Sequence, residues 1–308
     1  MKSFIKLIEI WTPTKDRKKL TLGDSYYDDY VDFYNQSQNI SFAYNEGLPG
    51  TAWAQSSPII ITDLEHSCFA RKKAAQQSGI TCAVALPIFS GQFLLSVIVI
   101  LCGDDDELAG AIEVWGTKQE RPDELHLVDG YYGSLEKFEW ISRHINFQKG
   151  SGLPGTIWDY RIPQIIADMT SSESFLRASN ASLEGISTAF GIPFLYDDQH
   201  EFVLTFLSAR GAPVAQRFEI WLPDRAYDHF SLFSGHSEIP GDVFTFNEVK
   251  KGQGLIGQVW LTGCPSISHN PAEDSYINKN AMLENIKASV AIPVIEDGAL
   301  KAIVSFTL

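Results

Sequence analysis

The feature that most constrains this chain is a motif that returns three times at nearly constant spacing. Gly47-Leu48-Pro49-Gly50 recurs as Gly152-Leu153-Pro154-Gly155 and, altered, as Gly254-Leu255-Ile256-Gly257. A tryptophan follows each copy at a fixed offset (Trp53, Trp158, Trp260), and a proline stands five residues beyond each tryptophan (Pro58, Pro163, Pro265). Upstream, Glu9-Ile10-Trp11 is matched by Glu113-Val114-Trp115 and Glu219-Ile220-Trp221; downstream, Pro87, Pro193 and Pro293 share one apolar context. Tyr26 and Tyr131, Phe33 and Phe138, and Ile40 and Ile145 lie 105 residues apart, and a one-residue insertion after Asp63/Asp168 raises the offset to 106. Self-similarity at the length of a domain reads as tandem domains. The 308 residues divide into 1–103, 104–210 and 211–308, the last being shorter, most diverged and without a recognisable Phe-rich segment.

Periodicity gives a coarse structure for one unit. The Glu-Ile/Val-Trp segments read as strands over 5–11, 111–115 and 217–221, with a second strand near 19–22. Leu135, Phe138, Ile141 and Ile145 recur at helical spacing. The Gly-x-x-Gly turn follows, its glycines permitting positive φ or close backbone approach. After it come a short helix carrying the tryptophan and a proline-led strand (58–61, 163–167). A loop opening at Asp63 or Asp168 leads to a helix over 71–77 or 176–183. Two strands, 82–89 and 93–101, close the first unit; the second is apolar on both faces, as a buried central strand is. The fold class expected is α+β, an antiparallel sheet with packed helices in each unit.

Composition narrows the environment. A hydrophobic content of 44% with 12% aromatics belongs to a folded chain and excludes the disordered class. The longest apolar run, Phe93 to Cys102, is about half what a membrane helix needs. No apolar leader follows the basic N-terminus, so the expectation is a soluble, cytoplasmic protein without a membrane partner. The net charge is −14, distributed as 0, −10 and −4 over the three units. Such a surface repels phosphate backbones, so nucleic acid is not expected as a partner. Cys68, Cys82, Cys102 and Cys264 show neither CxxC pairing nor zinc spacing, which suits free thiols in a reducing compartment.

In its order of elements (Glu-Ile-Trp strand, Gly-Leu-Pro-Gly-x-x-Trp turn, proline-led strand ending near Asp, Gly-Ile, proline-containing strand before a hairpin) the chain resembles the GAF domain, three times over. The resemblance covers nearly the whole length. It implies an antiparallel sheet with helices and a small-molecule pocket between the sheet and the loops around Asp63–Arg71. Domains of this kind take cyclic nucleotides, bilins, haem, 2-oxoacids or other small effectors, or serve only to dimerise. The long helices that usually flank such a domain and cover one sheet face are missing: the joins over 102–110 and 208–216 are about nine residues each. The uncovered faces are therefore expected to pack against each other or a second chain. A further expectation is that the joining hairpins share strands, with 4–11 pairing with 300–308 to close a ring.

Carried onto this sequence, the pocket would be lined by Phe42, Asp63, Cys68, Phe69 and Arg71 in the first unit, and by Phe147, Asp168, Phe175 and Arg177 in the second. Arg71 and Arg177 are the residues best suited to meet an anionic ligand, against the plainer reading of solvated surface. Asp63 and Asp168 read as turn or helix caps, and the repeated tryptophans as core. Cys68 reads as a reactive thiol, a bilin anchor or a structural thiol; relatives that reduce free methionine sulfoxide use loop cysteines, but no cysteine here is repeated between units. The seven histidines form no metal pattern, the glycine turns lack the Lys-Ser/Thr of a phosphate loop, and the run Asp104 to Glu107 lacks EF-hand spacing. The function expected is non-catalytic sensing or regulation: a small effector of unspecified identity, a downstream protein partner, and a possible homodimer. The alternatives are a structural oligomerisation module whose pockets are filled by side chains and, less favoured, a thiol-dependent reductase.

Overall fold

The computed structural model describes residues 4–103, 110–169, 177–196, 201–209, 213–244, 247–271, 274 and 286–308. The acidic run Asp104 to Glu107 and Phe175 lie outside them.

The first unit runs β1 (Ile5–Pro13), β2 (Lys19–Tyr26), α1 (Val31–Ser37), β3 (Ser41–Ala43), α2 (Gly47–Gln55), β4 (Ile59–Ile61), α3 (Lys72–Gln77), β5 (Cys82–Ser90) and β6 (Phe93–Cys102). Its strands form one antiparallel sheet in the order β3-β2-β1-β6-β5-β4. The second unit repeats every element: β7 (Gly110–Lys118), β8 (Arg121–Tyr131), α4 (Glu136–Ser142), β9 (Asn146–Gln148), α5 (Gly152–Tyr160), β10 (Gln164–Ile166), α6 (Ala178–Leu183), β11 (Ile186–Leu195) and β12 (Glu201–Ala209). The third has β13 (Arg217–Pro223), β14 (Phe230–Ser237), β15 (Glu248–Val249), α7 (Gly254–Thr262), β16 (Ser266–Ser268), β17 (Ser289–Glu296) and β18 (Ala299–Thr307). All three sheets share one strand order. Among the described residues no helix stands between β14 and β15, the place of the missing Phe-rich segment.

The Gly-x-x-Gly motif is the first turn of a helix rather than a turn before one. Its first glycine sits at φ 59°, 62° and 56° in the three units, a conformation that disfavours side chains. Its second lies against a backbone carbonyl. A Cβ on Gly50 would stand 2.1 Å from the Ala43 oxygen, and on Gly155 2.1 Å from that of Gln148. Pro49 and Pro154 occupy the first helical turn, where a missing N–H costs no hydrogen bond.

The apolar sheet faces left bare by the short joins are covered inside the chain. β4 packs on β8, β10 on β14, and β16 on β2, so each unit contacts the next and the third returns to the first. The seams carry side-chain contacts. Tyr131 meets Thr81 at 2.7 Å, and the Phe89 ring packs tilted against Tyr196. The Thr188 hydroxyl donates to Glu238 at 2.9 Å, Phe190 packs on Phe218, and Arg161 bridges Glu201 of its own unit to Glu296 of the next. Lys287 pairs with Asp28, and His269 with Asp24. One apolar cluster draws residues from all three units. At the centre, Pro87, Pro193 and Pro293 line a gap of about 20 Å³, room for a single water.

The strand-sharing expectation is corrected. β1 pairs with β6 of its own unit, and β18 with β13 and β17 of its own. The ring closes by packing between complete sheets, because each unit already supplies antiparallel neighbours for its first and last strands.

Candidate functional site

Each unit buries a carboxylate in the middle of its first strand. Glu9, Glu113 and Glu219 are 0–3% exposed, between apolar neighbours on both sides in sequence. Two residues on, the same strand presents a tryptophan to the same face, and its indole N–H donates to that carboxylate: Trp11 to Glu9 at 3.0 Å, Trp115 to Glu113 at 3.0 Å, Trp221 to Glu219 at 2.9 Å. A buried charge persists only when paired and hydrogen-bonded. In the first two units the partner is the arginine just before the third helix of the unit. Arg71 forks onto both oxygens of Glu9, with the Nη2 bond at 2.7 Å, and Arg177 does the same to Glu113, at 2.8 Å. Tyr27 and Tyr132 donate their hydroxyls to the same carboxylates at 2.6 and 3.1 Å. Ser37 and Ser142, at the ends of α1 and α4, accept from the guanidinium. Phe33 and Phe138 lie against the flat face of the arginine, 4.5 Å away in both units.

The third unit rebuilds this cluster from different residues. Arg217 reaches Glu219 from the same strand, at 2.6 Å, and also forks onto Asp242. Phe244 stands 4.1 Å from its guanidinium, taking the part of Phe33 and Phe138. The last strand contributes a hydroxyl to the carboxylate in two units, Thr205 to Glu113 and Ser305 to Glu219.

The electrostatics follow. Burial by itself would raise the Glu9 and Glu113 carboxyls, but the arginine charge and the hydrogen bonds outweigh it and hold both below the usual carboxylate range. Tyr27 and Tyr132 are pushed far up, first by burial and then by the adjacent carboxylate.

These positions revise the residue-level expectations. Arg71 and Arg177 are not solvated surface; they are buried and paired with internal carboxylates. Phe42 and Phe147 are core, each edge-on to the strand tryptophan at 4.8 Å. Phe69 is buried with Arg71 over its ring at 5.4 Å. Asp63 is exposed and caps the turn by accepting the His66 N–H at 3.0 Å; Asp168 is also exposed. Cys68 is exposed, with the Thr51 hydroxyl 3.9 Å from its sulfur. Of the motif tryptophans only Trp158 is buried. Trp53 and Trp260 are half-buried, and the tryptophans that are core in all three units are Trp11, Trp115 and Trp221. The glutamates were missed, although a signal was present: a charged residue kept three times inside an otherwise apolar strand.

Outside this filled interior, the first unit carries an open cleft of about 700 Å³ between the Thr62–Glu65 loop, α3 and Ile80–Thr81. Lys72 donates to the Glu65 carbonyl at 2.7 Å across its mouth. No group of three metal-ligating side chains occurs among the described residues, and none of their helices is long and apolar enough to cross a membrane.

Comparison with known proteins gives structural likeness only. No family model matches the sequence, and no curated protein matches it. Among solved structures, the chain is similar to the GAF domain of A. aeolicus nlh2 in an inactive state, at 23% identity and a TM-score of 0.27 over 33% of this chain and 60% of that one. It is similar to the GAF domain of an Acinetobacter phosphoenolpyruvate-protein phosphotransferase at 13% identity and TM-score 0.26, over 33% and 58%. The free methionine-R-sulfoxide reductase of Neisseria meningitidis, solved with its substrate, matches at 15% and 0.25, over 33% and 57%. The chain thus spans less than two thirds of the length of each. The three α+β units of this chain share one sheet topology.

Proposed function

We propose that this chain is a non-catalytic regulatory binding protein in which the first unit takes a small effector and the ring transmits the event to a protein partner. The observation that carries this reading is the cleft of about 700 Å³ in the first unit, a size ordinary for a small-molecule site. It is bordered by Lys72, Lys73 and Gln76, which offer positive charge and hydrogen bonds, by Asp63 and Glu65, which balance that charge, and by Leu64 and Ile80, which offer apolar contact. A non-catalytic role agrees with the thiols. Burial pushes Cys82 and Cys102 far above the ordinary thiol range, which disfavours the nucleophilic thiolate.

Thermal unfolding with cyclic nucleotides and 2-oxoacids as probes, beside native mass spectrometry of freshly purified protein, tests the reading. A bound effector at one hundred times its dissociation constant stabilises by about 2.7 kcal/mol. Gln76→Trp, which fills the cleft, abolishes that gain without lowering the unliganded melting temperature. A native mass equal to the 34.3 kDa chain with no stabilising probe counts against it. That result favours the second reading, a structural module, which rests on the buried clusters that already fill the unit interiors.

A further inference from the structure

The β1–β2 hairpin tip, Lys15-Asp16-Arg17-Lys18-Lys19, places four cations within five exposed residues of a chain whose net charge is −14. The tip is rigid. Thr14 N–H donates to the Lys19 carbonyl and Arg17 N–H to that of Thr14, both at 2.8 Å, and Arg17 adopts φ 56°. Asp16 is occupied by the turn itself, accepting from the Thr14 hydroxyl at 2.7 Å and the Lys18 N–H at 3.2 Å. Lys15, Lys18 and Lys19 have no ion-pair partner among the described residues. Beside them the neighbouring hairpin presents Phe93, 66% exposed, with Arg17 over its ring at 5.4 Å.

The other end of β2 has the opposite character. Asp24, Asp28, Asp29 and Asp32 stand within nine residues that contain no cation. Asp24 and Asp28 hold the seam to the third unit, but Asp29 and Asp32 are exposed and have no ion-pair partner among the described residues. They border a groove of about 250 Å³ between α1 and α3, with Val31 (61% exposed) and Tyr34 (42%) alongside. Eight strand residues separate tip and groove by roughly 25 Å, so the two cannot meet within one chain. The second unit carries Ser134 and Lys137 where the first has Asp29 and Asp32.

We infer that the basic tip of one chain docks on the acidic α1–α3 groove of a second copy, Lys15 and Lys18 facing Asp29 and Asp32, and Phe93 facing Val31 and Tyr34. Charge, exposed apolar area and the one-to-one presence of both halves on the same unit select this occupant. An extended polyanion would instead face the −14 carried by the other two units. Tip and groove are different surfaces, so the contact is head-to-tail, and it propagates into a closed ring of chains or a filament. Between exposed charges it is salt-sensitive, weakening about tenfold or more from low salt to 0.5 M.

Sedimentation velocity of the full chain at low salt tests it. The wild type shows concentration-dependent growth beyond the monomer. Lys15→Glu/Lys18→Glu and Asp29→Lys/Asp32→Lys each remain monomeric alone, and an equimolar mixture restores growth, because each chain's tip then meets a groove of opposite charge on the other. The four reversals combined in one chain restore self-association. Circular dichroism confirms folding, and the neutral pairs K15Q/K18Q and D29N/D32N replace any reversal that unfolds. A wild type monomeric at every concentration, or association indifferent to the reversals, overturns the inference. So does retention on phosphatidylserine vesicles that is lost in K15E/K18E while the chain stays monomeric, since the tip would then read a membrane.

Discussion

Replacing Arg71 with alanine separates a structural arginine from a ligand-binding one. In the folded chain Glu9 is fully buried and its two oxygens take the Arg71 fork, the Tyr27 hydroxyl, the Trp11 N–H and the Ser37 hydroxyl. Removing the arginine leaves three neutral donors and an uncompensated buried charge, which costs about 3–5 kcal/mol. Against the roughly 5–15 kcal/mol that holds a domain together, that is a large share. In urea, with a slope on the order of 3 kcal/mol per M, the midpoint falls by about 1–1.7 M. Trp11 reports directly, since its indole shares the cluster. Glu9→Gln/Arg71→Met removes both charges, keeps an acceptor oxygen for Trp11 while the new amide N–H donates to the Tyr27 hydroxyl, and recovers most of the loss. The two single changes and the double therefore couple by more than about 1.5 kcal/mol, within the range of contacting pairs. Lys72→Ala, one residue away and exposed, serves as control. Were Arg71→Ala to leave the midpoint within about 1 kcal/mol of wild type, or the double to lose as much as the single, the arginine would not be the partner of that carboxylate.

Further outcomes follow from the same geometry. Because Glu9 and Glu113 have folded pKa values below their unfolded ones, their contribution is complete above pH about 4.3 and disappears as pH falls through the folded values. Stability measured by denaturant at pH 6 and pH 3 therefore drops, and Glu9→Gln flattens that drop. Gly155→Ala drives a Cβ to 2.1 Å from the Gln148 carbonyl and lowers the melting temperature by several degrees, whereas Gly185→Ala meets no atom within 4 Å and costs only the strain of φ 77°. A thiol reagent titrates exposed Cys68 in the native protein, while Cys82 and Cys102 react only on unfolding. Four rapid equivalents in the native state would contradict their burial.

The three units are legible in the residues alone. Three returns of Glu-Ile/Val-Trp, Gly-x-x-Gly and proline set the period, and local rules (apolar alternation, the positive-φ glycine, proline in a first helical turn) are satisfied within a few residues of where they are read. Each unit's α+β character followed from that. The short joins also carried the inference that bare sheet faces need cover, since the chain between units is too short to form it.

The pairing of buried charges, in contrast, emerges with the folded chain. Glu9 and Arg71 are 62 residues apart, and they meet because the fold brings the start of α3, where Arg71 stands, within reach of the β1 carboxylate. In the third unit Arg217 does the same work from two residues before Glu219, with Asp242 and Phe244 brought in from a helix-free segment, a substitution invisible to any register of the repeat. The closed ring is likewise a packing outcome. Complete sheets bury their faces on one another, and the seam contacts Thr81–Tyr131, Thr188–Glu238 and Lys287–Asp28 differ in chemistry at every interface. Local structure is written in spacing because its interactions are short along the chain. Burial of a charge depends on which distant group arrives to pair with it, and only the folded chain fixes that.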